Sequence, residues 1–147
     1  MSVVIQRTTF NEIKDSGLTA EYAAECAIAE LPPPNMQIDQ YNAMDAAGII
    51  YPLGAYFEGT LIGFITIICS VLPHYGVKVA VSESFFVGKQ WRKSGAGHKL
   101  REAAEKYAAE SGCIGVLLSA PVGGDLSKIL PRVGYRETSL VFFKCLT

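Results

Sequence analysis

Hydrophobic and polar positions change period several times along the chain, and each change marks an element. Residues 2–7 are rich in β-branched side chains and predict a first strand. Ala, Glu and Leu dominate residues 20–31, a predicted helix that Thr19 would cap and Pro32, Pro33 and Pro34 would stop. A second helical stretch over 38–47 ends near Gly48. Residues 51–58 and 61–72 read as strands joined by a tight turn at Glu58, Gly59 and Thr60. The turn from Pro73 to Gly76 makes the next reversal, and residues 77–87 return as the third strand of an antiparallel meander. From Ala96 to about Ser111 the spacing becomes helical, with Ala96, Leu100, Ala104 and Ala108 on one face beside Ala103 and Tyr107. Glu102 stands four residues before Lys106, the favourable ion-pair direction, and Gly112 is placed to end the helix. Residues 113–119 form a short apolar run suited to a buried strand, parallel to its predecessor after the crossover helix. A brief helix starts at Asp125, limited by Pro131, and residues 139–146 read as a final strand.

The order β, α, α, β, β, β, α, β, α, β predicts an α+β fold. Its central sheet is mixed and mainly antiparallel, with flanking helices and one βαβ unit. Repeated βαβ doublets are absent, which counts against a doubly wound dinucleotide fold.

Composition narrows the class. The 147 residues suffice for one ordinary domain with a substantial core, so residues 1–147 are expected to form a single domain. With 50% hydrophobic and 18% charged residues, a globular chain is expected rather than a disordered one. The net charge of −1 gives no global attraction to nucleic acid or to an anionic membrane. Cys26, Cys69, Cys113 and Cys145 are widely spaced in apolar surroundings, without the spacing of a zinc site or a redox pair. Reduced thiols and no metal follow as expectations. The first seven residues lack a signal-peptide pattern, and the longest nearly apolar stretch, 61–72, has 12 residues, too few to cross a bilayer. A cytoplasmic protein is expected.

One segment carries chemistry. Arg92, Lys93, Ser94, Gly95, Ala96 and Gly97 follow a strand and open a helix. Two glycines one residue apart let backbone N–H groups approach a ligand closely. A helix start adds unpaired N–H groups and a partial positive charge, and Arg92 and Lys93 add full charges. Such a junction suits a pyrophosphate. No Gly-Lys-Ser/Thr ending follows, so this is not the Walker loop. The bland alternative is a solvated basic loop.

Arg-x-x-Gly-x-Gly after a strand ending Phe85, Phe86, Val87 resembles the acyl-CoA signature of the GCN5-related N-acetyltransferases (GNAT). The likeness runs through the following helix and strand to Arg132, Val133, Gly134 and Tyr135, similar to the family's closing Lys-x-Gly-Phe, and covers roughly Tyr51 onward. The resemblance implies a GNAT-like sheet with a splayed parallel pair. It implies acetyl-CoA as donor, with its diphosphate on the loop from Arg92 to Gly97 and its pantetheine arm along Phe85, Phe86 and Val87. A bulge near 84–86 would help open the strands. Ser119 replaces the family's common asparagine and retains a hydroxyl for the pantetheine. Leu130 replaces the tyrosine that gives a proton to the departing thiolate, so the acid would be Ser127, Tyr135, water or no group at all.

An amine must lose a proton before attacking a thioester, and a nearby carboxylate can take it. Glu83 stands alone in Val-Ala-Val-Ser-Glu-Ser-Phe-Phe-Val, where strict alternation puts it on one face with Val81, Phe85 and Val87. It is expected to be partly buried there as the catalytic base; the alternative is a solvent-facing strand glutamate. His74, on the turn beside Tyr75, is a second candidate base against the reading of a surface histidine, and His98 would meet cofactor or solvent. Tyr41 and Met44 read as core, with lining of an acceptor pocket as the other reading.

These residues together predict an acetyl-CoA-dependent N-acyltransferase working by direct transfer to an amine, a small molecule favoured over a protein. The alternative is a CoA-binding or protein-interaction module that kept the fold and lost its acid. RNA is a weaker target, which near-neutral charge opposes. A homodimer is compatible with the sequence.

Overall fold

The computed structural model describes residues 2–26 and 28–147. Five strands lie in the order β1-β2-β3-β4-β5: Val4–Arg7, Ile50–Phe57, Thr60–Leu72, Val77–Val87 and Val116–Leu117. Neighbours are antiparallel except β4 and β5, which are parallel. The expected mixed, mainly antiparallel sheet is therefore present.

Helices cover both faces. On one lies α4 (Ala96–Glu110), whose Ala96, Leu100, Ala104 and Ala108 pack on Leu53, Ile65, Ile67 and Ala80. On the other lie α1 (Phe10–Asp15), α2 (Leu18–Cys26) and α3 (Ile38–Ala46), joined to the sheet through Phe10, Ile13, Leu18, Ile50, Phe64 and Phe86. With both faces covered, the long strands read as nearly continuous apolar runs. A short α5 (Asp125–Ile129) follows β5. Among the described residues no helix is long and apolar enough to cross a membrane.

Several boundaries differ from expectation. α1 was not predicted, although Thr9 and Glu12 stand at capping-box spacing and the Glu12 N–H does bond Thr9 Oγ1 at 3.1 Å. α2 begins at Leu18, whose N–H bonds Ser16 Oγ, so Thr19 lies inside the helix rather than capping it. It ends at Cys26; residue 27, within the predicted helix, lies outside the described residues, as does residue 1. The β2–β3 hairpin turns at Glu58 (φ 49°) and Gly59 (φ 79°), the paired positive φ angles of a tight two-residue turn. On α4, Glu102 pairs with His98 (2.9 Å) instead of Lys106.

The final strand over 139–146 does not form. β5 pairs through only two residues, too short an edge to template another strand, and Leu140, Val141 and Phe142 stand exposed. Apolar, β-branched composition favours a strand only where a ladder partner exists.

Candidate active site

The ladder between β3 and β4 slips once, and the slip shapes the candidate site. Thr66 pairs with Ser84 and Ile67 with Ser82, leaving Glu83 as an extra residue without a partner. A bulge of this kind reverses the alternation beyond it. Glu83 and Ser84 consequently face the α1–α3 side, where Phe86 also packs, whereas Phe85 and Val87 pack toward α4. The expectation that Glu83 shares a face with Phe85 and Val87 is thus corrected, and the bulge lies just before the 84–86 stretch where it was expected. Glu83 is also exposed rather than partly buried.

Two hydroxyls aim the carboxylate. Tyr41 donates to Glu83 Oε2 at 2.8 Å, and Thr66 donates to Oε1 at 3.0 Å. Thr66 is 1% exposed and has a single proton, so Ser84, 2.8 Å away, supplies the next donor in the row. Burial first, and the Glu83 bond second, push the Tyr41 phenol well above the ordinary tyrosine range.

Glu83 opens into a cavity of about 510 Å³ between the sheet and α1–α3. Phe10, Ile13, Tyr22, Met36 and Phe64 give it apolar walls. Tyr41 and Met44 line it as well while packing against the α1–α3 core. Sequence reasoning missed Tyr22, Phe64 and Thr66, because which residues face this space depends on the bulge and on how the helices fold over the sheet. His74 does not line it; its ring meets Tyr75 on the β3–β4 turn.

On the opposite edge, β4 pairs with β5 only at Ala80–Val116 and Val81–Leu117. Residues 82–87 continue with β3 on one side and, among the described residues, no strand on the other, the splayed edge that the fold class implied. This edge leads into the glycine loop. Gly95 takes φ 86°, and among the described residues nothing beyond its chain neighbours lies within 4 Å of where a Cβ would stand. No side chain caps α4 at Gly95, and the Gly97 and His98 amides have no acceptor among the described residues. Ser94 Oγ accepts from the Ala96 N–H at 3.2 Å. Open space and unmatched amides at a helix start fit an anionic group such as a diphosphate. Of the two loop cations, Lys93 is exposed, with no ion-pair partner among the described residues.

Arg92, at the start of the loop, is tied to its protein neighbours. Its guanidinium is bidentate on Glu25 of α2, its Nε donates to Val87 O at 3.1 Å, and it lies 5.2 Å over the Phe86 ring. It holds α2 to the end of β4 rather than reaching into the loop's open side. Glu21 of α2 accepts from the Lys89 N–H at 3.2 Å, adding a second tie.

The remaining candidates are dispersed. Ser119 is exposed beyond β5. Leu130 is 7% exposed, a packing residue. Ser127 donates to Gly124 O inside its own helix. Tyr135 donates to Glu105 Oε2 at 2.7 Å; burial, then this bond, raises its phenol, which is spent on α4. His98 accepts from Arg101 at 2.6 Å and bonds Glu102. Among the described residues no group of three His, Cys, Asp or Glu side chains is set to hold a metal.

Comparison with known proteins agrees with this geometry. The chain is similar in structure to ribosomal-protein-alanine N-acetyltransferase from Brucella melitensis biovar Abortus 2308 (TM-score 0.76, 19% identity, 99% of this chain and 100% of that one). An aminoglycoside acetyltransferase from an uncultured soil metagenomic sample, in complex with sisomicin, gives TM-score 0.75 at 19% identity over 99% and 97% of the chains. Glucosamine-6-phosphate N-acetyltransferase from Arabidopsis thaliana gives 0.75 at 14% identity over the whole of both. These likenesses show the fold. No curated protein sequence matches the chain. The family model described as Acetyltransferase (GNAT) family matches residues 18–123, beginning earlier than the expected Tyr51 and stopping before the closing segment around Gly134. Splayed strands, glycine loop and a match over most of its length agree: the chain belongs to the GNAT family of acetyltransferases.

Proposed function

We propose that the chain, acting as a single domain, transfers an acetyl group from acetyl-CoA directly to the nitrogen of a small-molecule amine. The observation that carries this reading is Glu83, held by Tyr41 and Thr66 on the wall of a cavity, on the strand whose other edge is free.

In this reading the amides of Gly97 and His98, with Lys93, hold the donor's diphosphate, and the free edge of β4 over Phe85–Val87 offers backbone groups to its pantetheine arm. Ser119 is close enough in sequence to the end of β5 to reach the same arm. Acetyl-CoA supplies the activated thioester. Glu83 takes a proton from the ammonium, directly or through a water, leaving a neutral nitrogen. That nitrogen forms the C–N bond, the C–S bond breaks, and the sulfur leaves with the electron pair. The second nitrogen proton ends on sulfur. A thiolate leaves without a dedicated acid at neutral pH, since thiols have pKa near about 8.5, so Leu130 is no obstacle. Holding both reactants in line supplies much of the rate.

Glu83→Gln tests the assignment. Turnover should fall about 100-fold or more, the scale of one general base, with CoA affinity kept. Unchanged turnover across pH would remove Glu83 from the reaction.

A further inference from the structure

The cavity beside Glu83 contains one charge. Among the described residues that line it Glu83 alone is charged: no Lys, Arg, His or second carboxylate joins it. The deep part is apolar, since Phe10, Ile13 and Phe64 are almost fully buried. Aromatic rings line its walls: Phe10 stacks on Tyr41 at 4.5 Å, and Tyr22 stands 6.2 Å from Phe64. The exposed amides of Asn35, Gln37 and Gln40 lie at its mouth.

We propose that the acceptor is a primary monoamine on a short arm from an apolar, ring-sized body, an arylalkylamine in chemical class. This inference rests on the acyltransferase reading above. One carboxylate matches one ammonium. A polyamine would carry a second ammonium to walls that hold no counter-charge, and a desolvated unpaired charge is strongly disfavoured. A phosphorylated amine would bring an anion to a wall whose only charge is negative. A ring, by contrast, displaces water from rings and thioethers, and Met36 and Met44 can adjust to its outline. Aromatic faces next to the carboxylate also favour a cationic headgroup. The volume of about 510 Å³ lies in the small-ligand range.

The test measures thiol release from acetyl-CoA with 2-phenylethylamine, hexylamine, spermidine, O-phosphoethanolamine and an alanine-initiated peptide. Calorimetry of 2-phenylethylamine with the CoA-loaded protein accompanies it. The expected result is kcat/KM for 2-phenylethylamine about 100-fold or more above spermidine, phosphoethanolamine and peptide, with hexylamine between. Gln40→Glu, at an exposed position, adds a second carboxylate at the mouth and should narrow the spermidine gap about tenfold. Equal rates, or preference for spermidine, phosphoethanolamine or peptide, would overturn the proposal and leave the acyltransferase reading intact. No turnover with any amine would sink that reading and this inference with it.

Discussion

The Tyr41 hydroxyl donates a 2.8 Å hydrogen bond to Glu83 Oε2, joining residues 42 positions apart. It fixes α3 to the bulge in β4, and with Thr66 on the other oxygen it leaves the carboxylate little freedom to turn. Because burial and Glu83 push the Tyr41 phenol upward, it remains a neutral donor throughout the neutral and mildly alkaline range.

Removing that donor should therefore cost orientation rather than folding. Tyr41→Phe keeps the ring stacked on Phe10 and removes one hydrogen bond to a charged acceptor, a loss of about 1.5 kcal/mol or tenfold in kcat/KM. CoA affinity should not move. A parallel loss of CoA affinity, measured by calorimetry, would show that the site as a whole had shifted.

The two loop glycines should respond oppositely to alanine. Gly95 has φ 86°, so Gly95→Ala strains the backbone and should lower stability by about 1 kcal/mol. At Gly97 an added Cβ would meet Val87 Cγ2 at 3.6 Å, ordinary contact, with no positive φ. Gly97→Ala should therefore keep or raise Tm. Thermal melts decide the stability contrast, and a drop in CoA affinity for a Gly97→Ala protein that melts normally would place ligand against this turn.

The Glu25–Arg92 pair sets an acid limit. Its hydrogen bond to Arg92 holds the Glu25 carboxyl below the usual range near 4.5. A carboxyl lowered by folding contributes stability above its unfolded pKa and loses it as pH falls through the folded one. The pair is partly exposed, so its contribution is under about 1 kcal/mol. The Tm difference between the native chain and Glu25→Gln should be constant above about pH 5 and vanish well below pH 4.5. A difference that persists at the acid end would show that the pair does not carry the effect.

Arg101 offers a harsher test of packing. Its side chain is 8% exposed and paired with Glu105 at 2.8 Å, while Tyr135 donates to the same carboxylate. Glu105→Ala would leave a nearly buried guanidinium without its carboxylate and should destabilise by about 3 kcal/mol. Tyr135→Phe removes one hydrogen bond, about 1 kcal/mol. Urea denaturation of both variants checks the ranking, and equal losses would contradict it.

How far the sequence foretold this structure depended on the range of the interactions involved. The glycine loop, α4 and the Glu58–Gly59 turn are local, and their signals stand in adjacent residues. The N-cap at Thr9, which accepts from the Glu12 N–H, is equally local and leaves a readable signal. The bulge does not: Ser82 and Ser84 are small and polar on both sides of Glu83, so one skipped partner leaves no trace in the alternation. Strict alternation, blind to the bulge, assigns Glu83 to the opposite face from the one it takes. The Tyr41 bond and the cavity walls follow from that register and from three helices folding back over the sheet. The strand expected at 139–146 failed for the converse reason, because composition describes a strand's own preference and not whether a ladder awaits it.

A gene one codon shorter at position 83 would encode a smoother protein. Ser82 and Ser84 would become neighbours facing Ile67 and Thr66, and the ladder would run without interruption. Selection for stability alone would accept that deletion readily, yet the product would have no carboxylate in its cavity. Substitution and deletion at this codon should thus sort differently in a mutational library: folding screens would tolerate both, and among deletions along β4 this one would yield the best-folded inactive protein. The irregularity in this strand is thus the feature on which the proposed base depends.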